Sequence, residues 1–510
     1  MSHSGQHNGV GVGGGSADDR LAVRLPSLSI GAEGLESIST VVRQNSPLTP
    51  PPPPHPPPPH TPHHPASSQH GRGNTFAYFS ARAAATGAVN LGQGFPTFGT
   101  PKFIEELAVD ALRSGEFNQY GRPAGQPSFG EVVSEMYKGE FGRSLDPMDE
   151  VRVFLGAQMG IQCALTAFCN EGDEVLVVEP AFDAYGKSAS LVGAKMVGVP
   201  LRPSAGSSSS SSSSSQEWKL DAAELEAAIT PRTKMLVLNT PQTFVGKAFA
   251  REELEEIADV VRRSGDRGAP DMVVVSDEVY EKMVFDGMEQ HRFASLPGMY
   301  DRTVTLFSAG KTFSCTGWRC GYTVAPKHLS EPMGEAMAAM GFCASQPLSR
   351  AVERALSLAN AGEADIEAYG SAPGAYYASL CSQLESARDL MVDGLARQAE
   401  GHGVLAPVNP AGGYFLMADI SKLPDEVIGY GADERSRAAA GDHMARRDWR
   451  ACEWLVDEVG VAVIPSSIAY FGEGKEEITD RYVRLAFCKR EEEIAEAVRR
   501  IEEKVGSVLG

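Results

Sequence analysis

Met272-Val273-Val274-Val275-Ser276-Asp277-Glu278-Val279-Tyr280 is the stretch on which the fold turns. Its apolar run is too short for a helix and dominated by β-branched valines, so it reads as a buried strand that ends directly on an acid, with a tyrosine three residues later. Runs of the same kind recur at Glu174–Val178, Lys234–Leu238, Thr303–Ser308 and Tyr322–Ala325. Between or beside them lie helix-period segments, among them Gly160–Cys169, Asp221–Ile229 and Arg251–Arg263. Strands interleaved with helices of that length imply crossover connections, hence an α/β fold with a mostly parallel sheet covered on both faces.

After about residue 345 the pattern changes to long helices. Shorter strands follow near Gly413–Ala418, Val461–Ile464 and Tyr482–Phe487, and then a charged terminal helix. The expected organisation is a large domain over 73–344 and a smaller α+β domain over 345–510, to which the start of the folded chain also contributes. Residues 1–72 carry Gly/Ser/His sequence, a proline tract from Pro50 to Pro59 and most of the chain's histidines. A segment with so little apolar side chain cannot offset its ordering entropy, so it reads as a disordered tail, in preference to a metal-binding or SH3-ligand segment. The serine run within 204–216 reads as a second, flexible insert.

A net charge of -20 argues against nucleic acid or an anionic membrane as the main partner. No apolar run reaches the ~18 residues that cross a bilayer. The eight cysteines contain no Cys-x-x-Cys pair, so neither a metal site nor a disulfide framework is indicated. The expected location is cytoplasmic, with a mitochondrial address left open.

The strongest chemical signal is Ser308-Ala309-Gly310-Lys311-Thr312-Phe313-Ser314, continuing to Thr316-Gly317-Trp318-Arg319. A phosphate-loop reading of Gly310-Lys311-Thr312 fails, because the required earlier glycine is Thr305. A lysine among small residues at the end of an apolar strand suits Schiff-base formation with an aldehyde cofactor, although taken alone such a lysine is more often simply solvated. Asp277 at a strand end is a turn former or, beside such a cofactor, the partner of a pyridinium nitrogen. Tyr280 would then bond the ring hydroxyl. Gly156-Ala157-Gln158 precedes a helix expected from about Met159, where free amides suit a phosphate, with Ser308 and Arg319 completing the cradle. Arg484, set inside the apolar strand Tyr482–Phe487, reads as an internal ion pair or as the receptor for a substrate carboxylate.

Taken with Asn90-Leu91-Gly92-Gln93-Gly94-Phe95-Pro96, Asn118-Gln119-Tyr120, Glu171–Val175, Glu179-Pro180-Ala181-Phe182-Asp183-Ala184-Tyr185 and Asn239-Thr240-Pro241, these segments resemble the fold-type I, class I aminotransferases. Within them the likeness is to the kynurenine aminotransferase / glutamine transaminase K group, from about Phe76 to the C-terminus. The resemblance implies pyridoxal 5'-phosphate (PLP) on Lys311 and ping-pong transfer of the amino group of glutamine, methionine, aromatic amino acids or kynurenine to a 2-oxo acid. It implies Asp277 at the pyridine nitrogen, Phe182 stacked on the ring, and Gly156, Ala157, Gln158, Ser308 and Arg319 at the phosphate. Arg484 and the Gly94 backbone take the substrate carboxylate, and Phe76 and Phe342 line the side-chain pocket. A homodimer is expected, with Tyr120 and Phe342 contributed across its interface.

The chain departs from the family in one motif. Relatives read Asn-Thr-Pro-x-Asn-Pro before Gly-Lys; here Thr243 and Phe244 stand for the second Asn-Pro pair. Losing the amide's bond to the ring oxygen should cost ~1–3 kcal/mol. Gln158 and Cys343 also differ from the usual residues. Other outcomes on the same framework are cysteine-S-conjugate β-lyase chemistry, an aminocyclopropane-carboxylate synthase, or a weakly active PLP-fold binding protein.

Overall fold

The computed structural model describes residues 74–204, 212–361, 376–402, 404–472 and 474–509. The tail expected over 1–72 lies outside them. The expected buried strand forms over Val273–Asp277 (β5), within a seven-stranded sheet. Its companions are β1 (Val151–Phe154), β2 (Glu174–Glu179), β3 (Lys195–Pro200), β4 (Thr233–Asn239), β6 (Thr303–Ser308) and β7 (Gly321–Val324), in the order β1-β7-β6-β5-β4-β2-β3. β6, β5, β4, β2 and β3 run parallel, and only β7 opposes its two neighbours.

Alternate side chains of these strands enter two separate cores. Val175, Val177, Met235, Val237, Val273, Val275, Val304 and Leu306 pack on one face. Leu176, Val178, Leu236, Leu238, Val274 and Phe307 pack on the other. A period of two with both faces apolar is what a sheet clad by helices on each side requires. The helix Ala157–Phe168 supplies Ile161, Cys163, Ala164 and Leu165 to the first of these cores. It starts two residues before the sequence pattern suggested, because Gly156 at φ 82° lets the chain turn straight from β1.

A second sheet holds β8 (Ala406–Asn409), β9 (Phe415–Asp419), β10 (Ile464–Pro465) and β11 (Tyr482–Ala486), in the order β10-β11-β9-β8. Its outer edge corrects the reading of 204–216 as a flexible insert. Residues 205–211 lie outside the described chain, but Ser213–Ser214 pair in parallel with Val408–Asn409. Ser215 is buried, its hydroxyl donating to the Gly246 carbonyl at 3.3 Å and accepting from the Ala411 amide at 3.0 Å. A serine run looks uniform in composition, yet a single hydroxyl with both partners available is enough to seat its end. Val89–Asn90, near the start of the described chain, pair in parallel with Val461–Ala462. That pairing brings the Leu91–Phe95 loop alongside the second sheet, where the Ala486 amide bonds the Leu91 carbonyl.

Candidate active site

The carboxyl ends of β4, β5 and β6 bring Asn239, Asp277 and Ser308 together, where parallel sheets present their ligand sites. Alternation at the end of β5 sends Asp277 and Glu278 to opposite sides. Glu278 is buried in an ion cluster, where Arg292 bonds it at 2.7 Å and also pairs with Glu140 and Glu281. That cluster anchors the strand end from behind and leaves Asp277 facing the cleft.

Asp277 is 4% exposed, and its Oδ2 accepts a 2.5 Å hydrogen bond from the Tyr185 hydroxyl. Its backbone carbonyl accepts from Asn239 Nδ2 at 2.9 Å and the Thr240 amide at 3.0 Å. Burial pushes its carboxyl up to about 6, against the pull of Tyr185, the Val279 amide and Lys311. A carboxylate held this firmly, with one oxygen still short of strong donors, suits a protonated ring nitrogen.

Lys311 lies in the short helix Ala309–Thr312 immediately after β6. Its amine bonds the Tyr414 hydroxyl and the Gly94 carbonyl (3.3 Å), and lies 5.8 Å from the Tyr280 ring centroid. Burial lowers its pKa to about 8, with Arg484 and Arg319 pushing the same way and Cys488 and Asp277 opposing. A lysine depressed to this extent offers a useful neutral fraction near physiological pH, as an imine-forming amine or a general base needs.

Arg484 occupies the middle of β11, opposite Met417 of β9 and Ile464 of β10. It is 2% exposed and enclosed by the rings of Phe415 (4.1 Å), Phe244 (4.6 Å) and Phe76 (5.3 Å). Its one hydrogen bond among the described residues runs from Nη2 to the Gly92 carbonyl at 3.0 Å, and Nε has no partner. Asp183 attracts it through space, yet that carboxylate is bonded to Lys187 at 2.5 Å. Burial lowers the guanidinium to about 10. The internal ion pair that the sequence allowed is therefore not made among the described residues, and the guanidinium fork is open to a carboxylate.

The remaining predicted residues fall as follows. Gly156 caps the helix Ala157–Phe168, and a Cβ there would meet the Arg319 guanidinium at 2.5 Å, so that cation lies directly over the free amides at the helix start. Arg319 is exposed at φ 53° and donates to the Thr316 carbonyl at 3.1 Å. Ser308 ends β6 beside this cradle. Gln158 donates to Ser188 at 2.7 Å and leaves Oε1 buried without a partner. Phe182 packs edge-on to Tyr185 at 5.7 Å. Tyr120 and Phe342 are both exposed and meet each other at 5.0 Å, at a distance in sequence that only the fold closes. Gly94 faces Phe415 so closely that a Cβ would come within 2.2 Å of its ring.

The Thr243 departure has a definite consequence. Its amide and hydroxyl both donate to Asn239 Oδ1, at 2.7 and 2.6 Å, so the hydroxyl is committed to Asn239. Phe244, the other departure, fills the wall against Arg484. Thr243→Val should therefore loosen Asn239 and the Asp277 carbonyl it holds, destabilising the fold by about 1 kcal/mol. Denaturant melting checks this, and a variant as stable as the parent would show that the bond carries nothing.

The sequence marks no role for Tyr185, Asn239 or Tyr414. Tyr185 and Asn239 sat inside segments quoted for other residues, and Tyr414 carries no motif at all. A pyridinium partner, a phosphate-ready helix start, an amine and an open guanidinium around one cleft fit a PLP group and an amino acid carboxylate.

Comparisons with known proteins show the family. The model of the family aminotransferase class I and II matches residues 86–501. The kynurenine–oxoglutarate transaminase of Dictyostelium discoideum is 38% identical over 414 residues, covering 81% of this chain and 89% of its own length. Kynurenine–oxoglutarate transaminase 1 of Homo sapiens is 36% identical, covering 82% and 92%. Among solved structures, a candidate kynurenine aminotransferase from Saccharomyces cerevisiae superposes with a TM-score of 0.74 at 29% identity, covering 87% of this chain and 98% of that one. An Escherichia coli protein with a methionine aminotransferase function gives 0.70 at 25% identity, covering 87% and 99%.

Proposed function

This chain belongs to the class I and II aminotransferases, and from that premise we propose that it uses PLP on Lys311 to move the amino group of kynurenine, other aromatic amino acids, methionine or glutamine to a 2-oxo acid. The observation that carries the reading is Arg484, a buried cation with three aromatic walls and no carboxylate partner among the described residues, in the same site as a lysine of lowered pKa. Bound PLP supplies an aldehyde and an electron-withdrawing ring.

The chain's own groups divide the rest. Arg484 orients the substrate by its α-carboxylate, in a water-poor pocket where a charge-assisted pair is strong. The Lys311 amine would bond the cofactor aldehyde and afterwards carry the α-proton, because burial lowers its pKa and so raises its neutral fraction near physiological pH. Asp277 holds the proton of the ring nitrogen, steadied by Tyr185. The helix start at Ala157, with Arg319 above Gly156, holds the phosphate. Tyr280, Phe182 and Ser308 complete the cofactor's surroundings, and Phe76 lies at the boundary between carboxylate and side-chain pocket. The exposed pair Tyr120 and Phe342 is assigned to the interface of a homodimer, reaching the partner subunit's site.

Two measurements test the assignment. Purified protein given PLP should show the visible absorbance of a lysine-bound cofactor, and a panel of amino donors against 2-oxo acids should show exchange led by the donors named above. Absence of both would defeat it. Retention of the cofactor should also depend on pH. Below about 6 the Asp277 carboxyl is protonated and loses its charge for the ring nitrogen; above about 6 it is a carboxylate. Cofactor affinity should therefore weaken as pH falls from 7 to 5, read by equilibrium dialysis. An affinity that stays flat across that range would remove Asp277 from the role.

A further inference from the structure

The contacts of Lys311 include one residue that no motif singled out. Tyr414 stands just before β9, fully buried, with Gly413 at φ 76° turning the chain into it. The Gly413 amide bonds the Met283 carbonyl at 2.8 Å, and the Tyr414 carbonyl accepts from the Phe487 amide at 3.0 Å. The ring meets Tyr280 edge to face at 4.9 Å and Phe415 at 4.9 Å. Its position is therefore set on both sides. The hydroxyl donates to the Gly94 carbonyl at 2.9 Å and accepts from the Lys311 amine, and the Tyr280 hydroxyl also lies against it. The Lys311 nitrogen is also 4.9 Å from the Tyr414 ring centroid.

We propose that Tyr414 is a positioning residue for the Lys311 amine, its hydroxyl holding the nitrogen against the Gly94 carbonyl within reach of both the cofactor and the substrate's α-carbon. The inference rests on Lys311 being the Schiff-base lysine. A phenol has one proton, and the Gly94 carbonyl takes it, so toward the amine the oxygen is an acceptor. Burial holds the phenol well above its ordinary pKa, so it keeps that proton and its direction does not switch. A lysine side chain otherwise has four flexible bonds and no fixed direction, whereas proton transfer requires a defined approach. Gly94 and Arg484 lie on the carboxylate side of the site, Arg484 through the Gly92 carbonyl of the same loop. Tyr414 thus ties the amine to the loop that the substrate carboxylate also meets.

Tyr414→Phe in the full-length protein is the test, since it keeps the buried ring and removes only the oxygen. Loss of a hydrogen bond to a charged group should lower kcat by about 10- to 100-fold. KM for the amino donor should stay within about twofold, because Arg484 is untouched. The isotope effect of α-deuterated substrate should rise. Independently of turnover, the rate at which added PLP forms its imine with the protein reports the amine's own titration. The parent should inflect at about 8. The variant, whose ammonium has lost an acceptor, should inflect about one pH unit lower. Replacing Tyr414 by 3,5-difluorotyrosine, a weaker acceptor of the same shape, should shift it in the same direction by less. An inflection that does not move in either variant overturns the proposal, even if kcat falls, since the hydroxyl would then act through Gly94 or Tyr280 and not on the amine. If Lys311→Ala still forms the visible band, the function reading itself fails, which the Tyr414 variants alone would not show.

Discussion

Lys311→Ala should abolish the visible absorbance that PLP acquires on binding and reduce amino transfer by about 10²- to 10⁴-fold, the scale of losing a positioned acid–base group. The loss should fall on kcat, since the substrate carboxylate still has Arg484 and the phosphate cradle at Gly156 and Arg319 is untouched. PLP should still bind, more weakly, through Asp277 and the helix start. Stability gives the control. The Lys311 amine is a partly buried cation that burial disfavours, with the Gly94 carbonyl and a phenol as its hydrogen-bond partners. Its removal should therefore not unfold the protein, and thermal melting should stay close to the parent. A variant that keeps both band and turnover would transfer the chemistry to another amine. Lys247 and Lys489 are the other buried amines such a result would point to, Lys247 paired with Glu253 at 3.0 Å and Lys489 donating to the Phe95 carbonyl at 3.1 Å.

How much of this was legible before any coordinates depends on whether the signal is local. Strand β5 and its terminal Asp277 were readable because an all-apolar run of β-branched residues has few alternatives, and the structure keeps it within one residue at each end. β7 was readable as a strand but not as the antiparallel one, since direction is set by the connection and not by the side chains. The serine run misled because its composition hides that Ser215 has two backbone partners waiting in distant segments. Tyr185 and Tyr414 are silent in the sequence for a related reason. Each is an ordinary aromatic in sequence, 92 residues from Asp277 and 103 from Lys311 respectively, and only the fold makes its hydroxyl a neighbour of the reacting groups. Thr243 was noticed but its destination was not, because a departure from a motif says what is lost and not what the new side chain binds instead.

Arg484→Met separates function from structure more sharply than a truncation, because it keeps much of the side chain's length and bulk. An arginine held for stability would be paired; this one has a single carbonyl, an unpartnered Nε and three rings. Cation–π contacts offset part of its desolvation, commonly by ~0.5–2 kcal/mol. Replacing buried ionic groups by well-packed apolar ones is often neutral or stabilising by ~1–4 kcal/mol. Arg484→Met should therefore melt at the same temperature as the parent or higher, while PLP retention changes little. Catalysis should move the other way. Removing one side of a buried, hydrogen-bonded charge pair costs ~2–5 kcal/mol, so kcat/KM for amino donors should fall by about 30- to 4,000-fold at ~1.4 kcal/mol per decade. Most of that loss should appear in KM, and the same variant should lose discrimination between an α-amino acid and the amine lacking its carboxylate. Lower stability together with an unchanged KM would mean that the guanidinium is part of the scaffold. The aromatic cage itself argues otherwise: three phenylalanines can hold a cation in place without satisfying it, which leaves its hydrogen-bonding capacity for a ligand.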